Sequence, residues 1–303
     1  MSRDKLNTSV GRALKSSTTS KPNSGSSQEQ PAIILFTDLD GTLLDSTSYS
    51  FEPARPALNL VKTLAIPLII CSSKTRLEIE RYRGELSNSH PFVAESGGAI
   101  FIPKGYFPFE VLSQGVRTGA RGDYEVVLLG AGYPRLRLAM EQLRREGFSV
   151  RGFGDMTAPE VAKMTGLTLE EAAMAKERDF DEPFILEKAA DFEILRERIV
   201  RLGFRLTKGA FYHISGESDK GEAVSILSGL YQRALGSIIT IGLGDSPNDF
   251  SMLECVDYPV LVQKSDGRHD PAVSLPNLMR AEGIGPFGWN EAVITLLRQI
   301  TLK

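Results

Sequence analysis

Cysteine is scarce in this chain: Cys71 and Cys255 are the only two among 303 residues. That count excludes a disulfide-stapled scaffold and any four-cysteine zinc site, and it makes a reducing, cytoplasmic setting the expectation. Long apolar runs are missing too. No stretch approaches the ~20 consecutive apolar residues needed to cross a bilayer, and the first thirty residues lack the apolar centre of a signal peptide. A surplus of positive charge is also absent, because 35 Lys and Arg against 38 Asp and Glu give a formal charge of -3. A dedicated binder of phosphate backbones would be strongly basic. Neither nucleic acid nor a membrane is an expected partner.

What remains is ordinary globular composition, 42% hydrophobic and 24% charged, enough for two modest domains with cores of their own. Residues 1–29 are rich in Ser, Thr, Asn and Gln and read as a disordered tail outside the fold. Order is expected from Ala32-Ile33-Ile34-Leu35-Phe36, a continuous apolar run that stops at Thr37 and Asp38, as a strand buried on both faces does. A second run spans Ile66 to Cys71, with helical spacing over Pro56 to Leu64 between the two; strand, helix, strand is the unit that builds a parallel sheet. A third run, Ser237 to Leu243, stops at Gly244-Asp245 and is flanked by helical patterns at Lys220 to Ala234 and Asn248 to Glu254. Each run ends in a polar cluster, the place where open α/β sheets bind ligands. The middle of the chain reads as strands and helices with short connections, from a strand at Tyr124 to Leu129 through to strands at Phe204 to Thr207 and Phe211 to Ile214. We expect a doubly wound parallel α/β core over 30–112 and 215–303, interrupted by an α+β cap over 113–214.

Two of the polar clusters are acidic. In Asp38-Leu39-Asp40-Gly41-Thr42 the carboxylates of Asp38 and Asp40 lie one residue apart at a strand end, where they repel unless a cation or shared proton relieves them. Gly244-Asp245-Ser246-Pro247-Asn248-Asp249 adds two more, and oxygen-only ligands favour Mg2+ over zinc or copper. Taken singly, each also reads as a turn or a helix N-cap. Ser72 and Ser73 can hold phosphate oxygens and Lys220 can neutralise a dianion, although an N-cap and a solvated surface lysine are equally ordinary uses.

Taken in order, Asp38-Leu39-Asp40-Gly41-Thr42, Ser72, Lys220 and Gly244-Asp245-Ser246-Pro247-Asn248-Asp249 resemble the four motifs of the haloacid-dehalogenase-like phosphohydrolases. Glu95-Ser96-Gly97-Gly98-Ala99-Ile100 is similar to the segment that precedes their caps. A narrower resemblance, to the mannosyl-3-phosphoglycerate phosphatase family, covers nearly all of 31–300. It rests on Cys71-Ser72-Ser73-Lys74-Thr75, Arg178-Asp179-Phe180-Asp181-Glu182-Pro183-Phe184, Phe211-Tyr212-His213 and Gly285-Pro286-Phe287-Gly288-Trp289-Asn290. The N-terminal tail has no counterpart in that pattern.

The resemblance implies a Rossmann-like core, a mobile cap, Mg2+ dependence and an aspartyl-phosphate intermediate. Asp38 is then the nucleophile, Asp40 the acid and base, and Ser72 and Lys220 the groups that hold phosphoryl oxygens. The metal set is Asp38, Asp40, Asp245 and Asp249, with Asp249 as anchor of the metal's water shell or of Lys220. Ser73, Lys74, Gly97, Gly98, Arg178, Glu182, His213 and Asn248 are candidate substrate contacts, and Arg178 is the candidate grip on a substrate carboxylate, with His213 or Lys163 completing the pocket. The expected partner is a small-molecule sugar phosphate, met by a monomer or homodimer.

Overall fold

The computed structural model describes residues 30–111, 117–188 and 192–301. The tail expected over 1–29 lies outside the described residues. The chain opens with β1 (Ala32–Thr37), α1 (Arg55–Thr63), β2 (Leu68–Cys71) and α2 (Arg76–Leu86), the expected strand–helix–strand unit. Next come β3 (Phe92–Ala94), β4 (Ala99–Pro103), β5 (Arg117–Arg121) and β6 (Tyr124–Leu128). A second unit holds α3 (Tyr133–Arg145), β7 (Val150–Gly152), α4 (Ala158–Thr165), α5 (Leu169–Lys176), β8 (Asp181–Leu186), α6 (Phe192–Arg201), β9 (Arg205–Lys208) and β10 (Tyr212–Ser215). The chain then returns through α7 (Lys220–Leu235), β11 (Ile238–Gly244), α8 (Phe250–Glu254), β12 (Tyr258–Gln263), β13 (Met279–Ile284) and α9 (Pro286–Thr301).

The main sheet has nine strands in the order β13-β12-β11-β1-β2-β3-β4-β6-β5. Pairing is parallel from β13 to β3 and antiparallel from β3 onward. Side chains of β1 alternate across it. Ile34 and Phe36 enter one buried cluster with Ala223, Leu227 and Met252 from α7 and α8, while Leu35 enters the other with Ala57, Val61 and Trp289 from α1 and α9. Burial on both faces is why β1 reads as a continuous apolar run. A fully buried side chain such as Phe36 contributes ~1.5–3 kcal/mol by transfer from water. No helix among the described residues is long and apolar enough to cross a membrane.

The cap sheet is antiparallel, in the order β7-β8-β10-β9. Phe184 and Ile214 pack on one face against Leu136, Met140, Leu195 and Ile199 of α3 and α6. Ile185 and Phe211 pack on the other, near Phe153, Val161 and Ala172. One expected element lies elsewhere: the strand at Tyr124–Leu128 pairs with β4 in the main sheet, Val127 opposite Ile100, rather than with the cap strands. Its apolar pattern specifies that it pairs, but not with which edge, because cross-strand partners are remote in sequence.

Candidate active site

β11, β1 and β2 are adjacent and parallel, so their carboxyl ends, and the loops that follow them, share one edge of the sheet. Asp38 follows β1 directly and is buried, 6% exposed. Lys220, the first residue of α7 and 1% exposed, donates from Nζ to Asp38 Oδ1 at 2.6 Å and to Asp249 Oδ1 at 2.7 Å. Asp249 is fully buried, and its Oδ2 accepts from the backbone N–H groups of Asp245 and Ser246, each at 3.1 Å. Both of its oxygens are thus engaged, one on Lys220 and one on the Asp245 loop. Asp245 packs against Gly41, where an added Cβ would lie 2.8 Å from Asp245 Oδ2 and where φ is +75°. Glycine at 41 both permits the turn and leaves room for that carboxylate.

Asp38, Asp245 and Asp249 each offer an oxygen, all within 4.8 Å of one another. Burial pushes the Asp38 carboxyl well above the usual carboxylate range; Lys220 opposes the shift, while Asp249, Asp245 and Asp40 reinforce it. Burial, with Asp249 beside it, likewise pushes Asp245 up to about 7. One lysine does not balance this many carboxylates. An oxygen-only set with surplus negative charge suits a hard divalent cation, so the residues present fit such a metal.

Asp40 pairs with a different lysine. Its Oδ1 lies 3.0 Å from Lys74 Nζ, and its side chain is 38% exposed. Ser72 is fully buried, and its hydroxyl accepts from the Lys74 backbone N–H at 3.2 Å. The N-cap of α2 is not a serine but Thr75, whose hydroxyl and Glu78 form a reciprocal capping box. Beneath Asp38, the Trp289 indole N–H donates to Thr37 Oγ1 at 3.0 Å, and that hydroxyl donates to the Asp38 carbonyl at 2.8 Å. The tail segment named from the sequence therefore braces the backbone at Asp38.

The turn over Glu95–Gly97 carries three successive positive φ values, 49°, 55° and 98°. Gly97 sits against the backbone at the start of α7, where an added Cβ would lie 2.1 Å from the Asp219 carbonyl. Gly98 is pressed against Phe180. The exposed Asn248 donates to Ser96 Oγ at 3.3 Å. Glu95, 2% exposed, accepts from the backbone N–H groups of Asp179, Phe180 and Asp181 at 2.8 to 2.9 Å, tying the cap to the core. The role of Glu95 is not legible in the sequence, because a buried Glu that is itself the first of three positive-φ residues has no local signature.

In the cap, Arg178 is buried. Its Nε donates to the Ala175 carbonyl at 2.8 Å, and its Nη1 donates to the Ser73 carbonyl at 2.9 Å and to Asp181 Oδ2 at 3.4 Å. Asp181 also meets His213 Nδ1 at 2.8 Å. Glu182, fully buried, accepts from Arg137 at 2.8 Å and from the Gly154 N–H at 2.9 Å, whereas Asp179 pairs with Arg121. Lys163 is exposed on α4. The candidate substrate contacts thus divide: Ser73, Arg178 and His213 form one chain from core to cap, Lys74 holds Asp40, and Glu182 lies within the cap.

A strand-end carboxylate held by a buried ammonium, beside further carboxylates fit for a metal and a half-exposed second aspartate, is equipped for phosphoryl transfer. The sequence profile of the haloacid dehalogenase-like hydrolases matches residues 35–110. A glucosyl-3-phosphoglycerate/mannosyl-3-phosphoglycerate phosphatase of Methanococcoides burtonii is 47% identical over 268 residues, which are 87% of this chain and 97% of that protein. A mannosyl-3-phosphoglycerate phosphatase of Pyrococcus furiosus is 37% identical over 246 residues, 81% of this chain and 96% of that one. Among solved structures, a haloalkanoate-superfamily phosphatase from Bacteroides thetaiotaomicron superposes with a TM-score of 0.61 at 15% identity, covering 94% of this chain and 100% of that chain. The sucrose-phosphatase of Synechocystis does so with a TM-score of 0.55 at 13% identity, over 88% and 98%. These two share the fold. On sequence, fold and site together, the chain belongs to the mannosyl-3-phosphoglycerate phosphatase family of haloacid dehalogenase-like hydrolases.

Proposed function

We propose that this phosphatase hydrolyses a hexosyl-3-phosphoglycerate, with mannose or glucose as the hexose, to the hexosylglycerate and inorganic phosphate, using Mg2+. The observation that carries the chemistry is Lys220 bridging Asp38 and Asp249 at 2.6 and 2.7 Å, which fixes a carboxylate where an incoming phosphoryl group would meet it. Support for the substrate comes from the Methanococcoides burtonii relative at 47% identity, whose name gives both sugars.

Asp38 attacks phosphorus in line, and the bond from phosphorus to the glycerate oxygen breaks. Asp40 gives its proton to that departing oxygen. Lys220 and the Ser72 hydroxyl hold the remaining phosphoryl oxygens. Asp40, now a carboxylate, takes a proton from water as the water oxygen bonds to phosphorus and the Asp38 acyl phosphate is broken. Asp38, Asp245 and the Asp40 carbonyl would hold Mg2+, which would supply charge neutralisation at the phosphoryl group. Asp249 acts through others, holding Lys220 and the Asp245 loop in place.

The test is phosphate release from purified enzyme across mannosyl- and glucosyl-3-phosphoglycerate, sucrose phosphate and hexose phosphates. The expected result is a kcat/KM at least tenfold higher on the two phosphoglycerates. A preference for sucrose phosphate or a hexose phosphate would overturn the substrate, and no phosphate release from any ester would overturn the reaction.

A further inference from the structure

The Lys74 ammonium is confined on every side. Its Nζ lies 3.0 Å from Asp40 Oδ1 and 3.8 Å from Glu78 Oε1. It also faces the rings of Tyr49, 5.1 Å from the centroid, and Tyr82, 5.8 Å, distances at which a cation is attracted to an aromatic face. The side chain is only 10% exposed. The enclosure is built at some cost, because Tyr49 stands at φ +54°, a conformation unusual for a bulky side chain. The loop that imposes it is tightly tied: Asp45 Oδ1 accepts from the Thr47 and Ser48 N–H groups at 3.1 and 2.8 Å, and the Tyr49 N–H donates to the Asp45 carbonyl at 2.9 Å. A lysine meant to close on a substrate would need freedom to move. This one is fixed against the carboxylate that the reaction uses as its acid.

Resting on the phosphatase reading above, we propose that Lys74 is a positioning residue: it pins Oδ1 of Asp40 so that Oδ2 is aimed at the leaving oxygen. In the first half-reaction the bond from Asp38 to phosphorus forms, the bond from phosphorus to the alkoxide breaks, and the proton on Asp40 Oδ2 passes to the alkoxide. In the second half-reaction the same oxygen takes the proton from the attacking water, the water oxygen bonds to phosphorus, and Asp38 leaves. An aromatic leaving group such as p-nitrophenolate departs without protonation, whereas an alkoxide does not. Misaiming Asp40 therefore penalises alkyl esters selectively in kcat/KM, which reports the first irreversible step.

The experiment compares Lys74→Met with wild type on p-nitrophenyl phosphate, on glycerol 2-phosphate, which has an alkyl leaving group and no carboxylate, and on mannosyl-3-phosphoglycerate. Lys74→Met is expected to lower kcat/KM at least thirtyfold on both alkyl esters, with a loss at least tenfold smaller on p-nitrophenyl phosphate. A pre-steady-state burst of nitrophenolate is expected on that substrate, because water attack on the phosphoenzyme slows. Equal losses on all three esters would overturn the proposal, and so would a loss confined to the phosphoglycerate, which would make Lys74 a substrate contact. Lys74→Arg should recover part of the alkyl-ester activity. If Lys74→Met does not fold, Tyr49→Gly loosens the ammonium while relieving the left-handed backbone, and it should show the same selectivity at about threefold; uniform losses there would equally refute the idea. Failure of the substrate reading shows separately, in the wild-type preference among esters.

Discussion

Lys220 in the core and Arg178 in the cap are both buried cations, yet they are held in opposite ways. Lys220 sits between two carboxylates at 2.6 and 2.7 Å, within a group whose negative charge still exceeds its positive charge. Arg178 spends its short bonds on two backbone carbonyls, at 2.8 and 2.9 Å, and meets a carboxylate only at 3.4 Å. The first arrangement is a strong local field at the proposed point of chemistry, where the surplus negative charge is one that a divalent cation would offset. The second is a tether, fixing the cap loop to the carbonyl of Ser73, the neighbour of Ser72. Substitutions in the Lys220–Asp38 cluster should therefore remove turnover on every ester, whereas substitutions at the tether should discriminate between esters.

The largest expected effect is Asp38→Asn. It keeps size and burial but removes the proposed nucleophile, and kcat should fall by more than a hundredfold on all esters, about 3 kcal/mol of transition-state stabilisation. Residual turnover above that level, measured by phosphate release, would place the nucleophile elsewhere. Chelation comes next. Activity should disappear in EDTA, return with Mg2+ and be suppressed by Ca2+, which accepts more ligands at looser geometry; full activity in EDTA would leave the surplus charge around Asp245 unexplained. At the tether, Arg178→Ala should lower kcat/KM on the phosphoglycerate at least tenfold, about 1.4 kcal/mol, with less than threefold change on p-nitrophenyl phosphate. Equal losses on the two substrates would erase the contrast between core and cap.

The same contrast runs through what the sequence made legible. Asp38, Lys220, Asp245 and Asp249 could be read because each follows or begins an element whose periodicity is plain, and parallel topology brings those ends together. Ser72 followed from the end of β2 in the same way. Lys74 read as a candidate substrate contact, and its partner was not legible, since nothing local says that its ammonium turns to Asp40, between Tyr49 and Tyr82, rather than outward. Arg178 read as a grip on a substrate carboxylate. Its actual partners, Ser73 and Asp181, depend on how α5 docks on α2, where the Thr75 hydroxyl donates to the Met174 carbonyl at 3.0 Å. Strand β6 could be seen as a strand, but its place beside β4 could not, because pairing is a long-range property.

The smallest expected effect concerns Glu95, the core residue that receives the cap's N–H groups. Burial pushes its carboxyl up to about 8, against the pull of Arg178 and of the Phe180 and Asp179 N–H groups. In the unfolded chain the same carboxyl titrates near 4.3. Between those values the folded protein holds a proton that the unfolded chain has released, so unfolding releases a proton and rising pH favours it. The stability contributed by the protonated carboxyl is complete below the unfolded value and is lost as pH climbs through about 8. Glu95→Gln keeps a carbonyl acceptor for the cap loop and removes the titration. Wild type should therefore lose more Tm than Glu95→Gln between pH 5 and pH 8.5, because only its unfolding releases this proton. The difference between the two proteins isolates Glu95 from every other titrating group, and adding Mg2+ should leave it unchanged, because the metal site proposed above lies at Asp38 and Asp245 rather than at Glu95. Identical pH dependence in the two proteins would mean that Glu95 is already ionised beneath the cap, held there by the N–H groups of 179–181 and by Arg178.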